Sequence, residues 1–152
     1  MPDASTPPKK RPWAPESADR LYGRGHPVGD FLEAYEWRVL SHAPGRYEIE
    51  AHLPTQVKNP RGVLFGGFTA TYVDLVAVRT AHSLGAADLG GMITANMRVD
   101  YLEPVGDERF RIESRVIHSR GRTHLVEVAM KSLDGRLLTF SLVTLRAREP
   151  ER

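Results

Sequence analysis

The chemistry available to this chain is concentrated in Asn59-Pro60-Arg61-Gly62-Val63-Leu64-Phe65-Gly66-Gly67-Phe68-Thr69-Ala70-Thr71-Tyr72-Val73-Asp74. Gly66 and Gly67 allow a sharp turn and a close approach of backbone N–H groups to a ligand. A helix that opens there aims free N–H donors and a partial positive charge at whatever stands in front of it. A carbonyl oxygen that gains negative charge is stabilised at such a spot. Asp74, two turns into the helix, supplies the acid–base group or nucleophile that acyl transfer requires.

Asp74 has no local ion-pair partner. Its neighbours at three- and four-residue spacing are Ala70, Thr71, Ala77 and Val78, none of them basic. From Phe68 to Leu84 only Asp74 and Arg79 are formally charged. A carboxylate on a partly buried helix costs free energy unless another group satisfies it. A solvated face, or a structural hydrogen bond to a neighbouring element, is the alternative to a catalytic role.

The elements that must position these residues follow from periodicity. Tyr35, Trp37 and Val39 alternate with polar residues, and Pro44-Gly45 marks a turn. Tyr47, Ile49, Ala51 and Leu53 alternate with Glu48, Glu50 and His52, as in a half-buried strand. A loop over 54–62 leads to a helix from Gly66 to Leu84 that ends near Gly85. Four strands follow. Met97, Val99 and Tyr101 carry the first; Phe110, Ile112, Ser114 and Val116 the second; His124, Val126, Val128 and Met130 the third. The fourth, Leu137 to Arg146, is apolar on both faces, as a central or interface-covered strand would be. Ser119 to Arg122 and Asp134-Gly135 predict hairpin connections. The expectation is an α+β domain: two strands, one long helix, then a meander of four strands. Ala70, Val73, Ala77 and Ala81 suit close packing of the helix on one sheet face. Phe68 and Tyr72 are expected on its exposed side, as pocket lining or a subunit contact. The remaining sheet face and edges call for self-association.

Composition narrows the classes. The 152 residues suffice for one core, and Lys+Arg 21 against Asp+Glu 19 leaves a net charge of only +2. No basic run combines with aromatic platforms, so a nucleic-acid partner is not expected. The absence of cysteine excludes disulfides and thiolate chemistry and fits a reducing, cytoplasmic setting. No apolar stretch reaches membrane-spanning length. Residues 1–28 hold six of the eleven prolines along with Lys9, Lys10 and Arg11, and read as an extended or disordered arm. Residues 29–148 form the folded domain and 149–152 a tail.

The layout and the residues around the glycine pair resemble the hotdog-fold acyl-CoA thioesterases, in particular the phenylacetate-pathway branch. In that branch an Asn is followed three residues later by Gly, then by His-Gly-Gly, then by a helical Asp or Glu. Asn59, Gly62, Gly66, Gly67 and Asp74 match that spacing. Met97 to Pro104 resembles the strand after the helix, and Arg120-Gly121-Arg122-Thr123 the hairpin near the CoA moiety. The similarity covers about residues 33 to 147.

The resemblance implies a sheet wrapped around the helix and two subunits sharing two equivalent sites, with dimers pairing into homotetramers. It implies that Gly67 donates its N–H to the thioester oxygen, with Gly66 beside it. Asp74 of the partner copy would activate water or attack the thioester carbon, Asn59 would orient water or carboxylate, and Thr94 would hold the attacking water. Asn96, two residues on, is expected on the same face as Thr94. Arg120, Gly121, Arg122 and Thr123 would contact CoA; an ordinary charged hairpin tip is the alternative. The substrate would be an acyl-CoA, aromatic or medium-chain, with CoA as part of the substrate and no cofactor. Phe65 replaces the His of the triplet, which removes an imidazole hydrogen bond and favours a more apolar acyl group. A protein that binds acyl thioesters without turnover is the alternative function.

Other chemistries find no support. The six histidines lack the spacings of zinc ligands. No G-x-S-x-G elbow and no dinucleotide fingerprint are present. The His–carboxylate pairing of hotdog dehydratases is also missing.

Overall fold

A computed structural model describes residues 36–85 and 91–148. The predicted arm at 1–28, the contribution of Tyr35 to the first strand, Gly90 and the tail at 149–152 lie outside the described residues. The elements are β1 (Glu36–Ala43), β2 (Arg46–His52), a single 3-10 turn (Thr55–Val57), α1 (Gly66–His82), β3 (Met92–Tyr101), β4 (Arg109–Arg120), β5 (Thr123–Lys131) and β6 (Leu137–Ala147). They form one antiparallel six-stranded sheet in the order β1-β2-β4-β5-β6-β3, with α1 packed on one face.

That order corrects the expected meander. β3 pairs with β6, not β4, and stands at the sheet edge opposite β1. The helix leaves the β2 side and crosses the sheet, delivering β3 to the far edge. The chain then returns through Val105, whose carbonyl accepts from Leu64 N–H at 2.8 Å, and Glu108, whose carbonyl accepts from Leu53 N–H at 2.9 Å. β6 is interior between β5 and β3, which explains its two apolar faces.

The core lies between α1 and the inner sheet face. Val73, Ala77 and Ala81 are fully buried against Phe110, Ile112, Val126, Val128 and Val143. Tyr72 corrects a second expectation, since it is completely buried rather than on an exposed side. Its ring meets Phe110 edge-on at 5.4 Å and its hydroxyl donates to the His52 carbonyl at 3.4 Å, so both its apolar body and its polar tip are accommodated. Phe68 is half-buried and packs against the core. On the outer side the faces are polar: buried Glu50 lies between Arg38 at 3.2 Å and Arg109 at 3.5 Å.

The alternation read from sequence holds along most of the sheet and breaks where a strand carries an extra residue: at Leu40 in β1, at Leu138 in β6, and near the far end of β4 and β3. Val116, Val126, Val143 and Met97 lie side by side on the inner face across β4, β5, β6 and β3. The next row is His118, Leu125, Thr144 and Asn96, on the outer face. Between these rows β4 carries an extra residue, Ile117; β3 carries its own, Ala95, one row further, between Asn96 and Thr94. Each is a bulge, which adds twist and shifts the in–out phase of what lies beyond. The two flank the β5–β6 ladder, which is regular at these rows, and sharpen the curl of the sheet around the helix.

Candidate active site

The helix mouth is built by the segment before it. Gly62, at φ 78, makes the sharp turn. Gly66 and Gly67 have no positive φ, so the glycine pair is not the turn itself, contrary to expectation. Asn59 shapes the same loop: its Oδ1 accepts from Arg61 N–H at 2.9 Å and Val63 N–H at 3.4 Å. An asparagine closing its own turn in this way leaves its side-chain oxygen committed to the loop. Phe65 N–H then bonds the Val57 carbonyl at 2.9 Å and docks the helix start on the 3-10 turn.

Phe65 is the N-cap and provides no side-chain cap. Its carbonyl accepts from Phe68 N–H at 2.9 Å and Thr69 N–H at 3.1 Å. Gly66 and Gly67 N–H make no hydrogen bond among the described residues, so two donors of the first turn stay open. A Cβ added at Gly67 would meet nothing within 4 Å. The glycine therefore keeps open a space in front of the helix that this protomer does not fill. Phe65 itself is 52% exposed and meets Phe68 edge-on at 6.3 Å, giving the mouth an aromatic rim.

Asp74 is half-buried, and its Oδ1 accepts a hydrogen bond from Thr94 Oγ1. The Ala95 bulge makes this contact possible. Counting back from Met97, Val99 and Tyr101 in strict alternation would turn Thr94 outward together with Asn96. The extra residue brings Thr94 to the inner face while Asn96 stays on the outer one. The expectation that Thr94 and Asn96 share a face is thus corrected, and Asn96 does not point toward Asp74.

Thr94 lies in an inner row with Leu145, His124 and Ser119. His124 is buried, its Nδ1 is 2.9 Å from Ser119 Oγ, and burial holds its pKa below the usual imidazole value. The next row places Ile93, Arg146, Thr123 and Arg120 side by side. The β4–β5 connection is only Gly121-Arg122, tighter than the predicted hairpin, with Gly121 at φ 57 supplying the left-handed conformation. Arg120, Arg122, Arg146 and Arg148 are all exposed at this end of the sheet. Arg120, Arg146 and Arg148 make no ion pair among the described residues. Arg146 has no near sequence neighbour in the predicted hairpin; only the pairing of β6 with β5 and β3 brings it there.

Tyr101 is the other residue that sequence reading left outside the site. Its hydroxyl donates to the Gly66 carbonyl at 2.7 Å. Since Thr94 meets Asp74 and Tyr101 meets Gly66, the helix runs antiparallel to β3. Gly67 and Asp74 are seven residues apart, about 10 Å along the axis, so a single thioester group does not span both within one protomer.

Comparison with known proteins agrees with this geometry. The family model of the thioesterase superfamily matches residues 61–139, just over half of the chain. A protein of Saccharolobus solfataricus described as a candidate esterase is 24% identical over 122 residues, 80% of this chain and 84% of its own length. The crystal structure of a thioesterase family protein from Silicibacter pomeroyi superposes with a TM-score of 0.69 at 23% identity, covering 82% of this chain and 90% of that one. A hypothetical thioesterase protein from Streptococcus pneumoniae, crystallised with coenzyme A, gives a TM-score of 0.67 at 18% identity over 75% of this chain and 92% of that one. Zebrafish thioesterase superfamily member 2 gives 0.66 at 24% identity, over 76% and 83%. With one helix held in a six-stranded antiparallel sheet and a family match across its central segment, this chain belongs to the hotdog-fold thioesterase superfamily.

Proposed function

We propose that this protein hydrolyses an acyl-CoA to the free acid and coenzyme A, at a site completed by two copies of the chain. The observation that carries the reading is the Thr94–Asp74 hydrogen bond, which holds a carboxylate on an otherwise uncharged helical face. β3 is an edge strand with exposed Ile93, Ala95 and Asn96. Antiparallel pairing of two such edges brings the Thr94 end of one copy against the Tyr101 end of the other. Asp74 of one copy then faces the Gly66-Gly67 mouth of its partner.

In this reading the thioester carbonyl accepts from Gly67 N–H, and the helix start stabilises charge as it develops on oxygen. Asp74 of the other copy either takes a proton from water as it attacks the carbonyl carbon or attacks that carbon itself. In the first route the tetrahedral centre collapses, the C–S bond breaks, and CoA leaves as the thiol with the proton Asp74 took from water. In the second CoA leaves as a thiolate that solvent protonates, and water then cleaves the acyl–Asp74 anhydride to the free acid and restores the carboxylate. Thr94 fixes the carboxylate, and Asn59 holds the loop that presents the mouth. The arginine-bearing sheet end, Arg120, Arg122 and Arg146 with Thr123, suits the phosphates of CoA; the solved relative with coenzyme A and the family match support that choice. The rim of Phe65 and Phe68 favours an aromatic or other apolar acyl group.

The test is thiol release from a panel of acyl-CoAs. Asp74→Asn is expected to retain the fold and lose about 10²–10⁴ in kcat. Near-normal turnover in that variant overturns the role of Asp74. Tight acyl-CoA binding by the wild-type protein without thiol release would assign a binding function instead.

A further inference from the structure

We infer that Tyr101 is a positioning residue that orients and polarises the Gly67 N–H through the peptide unit the two glycines share. The inference rests on the proposed role of Gly67 and adds a residue that acts on it from behind. The carbonyl of Gly66 and the N–H of Gly67 belong to one planar group. Turning or polarising one end necessarily affects the other. In the helical pattern the Gly66 carbonyl is the acceptor for residue 70, and its N–H end faces out of the helix start. The Tyr101 hydroxyl donates to this carbonyl at 2.7 Å, as a second hydrogen bond. Hydrogen bonds in a chain polarise one another, so a donor placed on the carbonyl makes the N–H across the same peptide a stronger donor.

The ring reinforces this geometry. A Cβ built on Gly66 would lie 3.6 Å from Tyr101 Cε1 and 3.7 Å from its hydroxyl oxygen. The phenol thus lies against the first residue of the helix and limits rotation of the peptide that follows. Glycine is otherwise the residue most free to rotate there. No N-cap side chain restrains this turn, because the phenyl ring of Phe65 cannot accept a hydrogen bond from it. Tyr101 supplies from the edge strand the restraint that the cap omits, and it does so on the carbonyl side. The N–H side stays open, whereas a capping Ser or Asp would occupy it. Tyr101 sits at the last position of β3, so the strand that carries Thr94 near its start also fixes the donor at its end.

The test is Tyr101→Phe, which keeps the ring and removes the donor. Two readouts are taken on the same protein. The first is the amide resonance of Gly67 in glycine-labelled material, where the other glycines among the 13 in the chain serve as reference. Loss of the bond to the preceding carbonyl is expected to move the Gly67 nitrogen resonance upfield, by more than any other glycine except Gly66. The second is steady-state thiol release, where kcat is expected to fall about fivefold with KM unchanged, the size of one neutral hydrogen bond. A residue that only tied strand to helix would alter stability and leave this split unseen. An unmoved Gly67 resonance overturns the inference whatever the activity. A moved resonance with wild-type kcat also overturns it. Wild-type protein inactive on every thioester would instead strike the proposed function, and the resonance would then still report whether Tyr101 polarises the peptide.

Discussion

At the scale of single residues, Gly67 separates what the fold needs from what the site needs. Its backbone angle is ordinary, and an added Cβ would meet open space. A helix former is therefore favoured there on folding grounds, by up to about 1 kcal/mol for alanine over glycine. Gly67→Ala is expected to leave the melting temperature unchanged or raised. It should lower kcat/KM at least about tenfold, because the methyl group stands where the thioester approaches. Equal activity would show that the space before the helix is only solvent. Asp74 illustrates the limit of reading one residue. Its isolation among small and apolar neighbours is visible in the sequence, but the group that satisfies it is not. Thr94 is 20 residues away and reaches it only through the fold. Asn59 reverses the case: its spacing is legible, while its commitment to the Arg61 and Val63 amides is a matter of local geometry that no spacing encodes.

At the scale of elements, periodicity served well wherever it was unbroken. α1 and the inner faces of β2, β4 and β5 follow directly from 3.6- and 2-residue patterns. Two things escaped. The place of β3 depends on where a helix sets it down, and antiparallel partners are chosen by packing far away in sequence. The bulge at Ala95 is a single small residue with no compositional mark, and it reverses the faces of everything before it in β3. Tyr72 was misplaced for a related reason. Its position on the helix is set by contact with Phe110 and His52, and an aromatic with a polar tip fits core and surface alike. If the bulge exists to bring a hydroxyl to Asp74, Thr94→Ala should lower kcat about 10- to 100-fold, the range of a hydrogen bond to a charged group. Thr94→Ser should restore most of it. Indifference to both substitutions would reduce the contact to a structural one.

At the scale of the whole molecule, the proposed function divides between two ends of the sheet. The end at Tyr101 presents open amides; the end at Thr94 presents a carboxylate and, one row further, exposed arginines. Arg146 stands opposite Ile93, the neighbour of Thr94, and reaches that end through strand pairing alone. Arg146→Ala is expected to raise KM for an acyl-CoA about tenfold with little change in kcat. It should leave the KM for a short thioester without nucleotide phosphates unaltered. Equal loss on both substrates would remove the arginine end from CoA recognition. In the proposed site such a division of labour along one strand would leave neither end sufficient alone, and a two-fold arrangement would supply both twice.

The bulge in β3 has a further effect at the molecular boundary. An unbroken outer strand is an open template onto which further chains can add indefinitely, in any register, as in fibrils. The bulge at Ala95 interrupts the regular edge of β3, and an edge so interrupted is a poorer template for a neighbour in arbitrary register. In the proposed pairing, assembly at this border would stop at a closed pair instead of growing, and the same irregularity that sets Thr94 against Asp74 would also guard the protein against polymerisation.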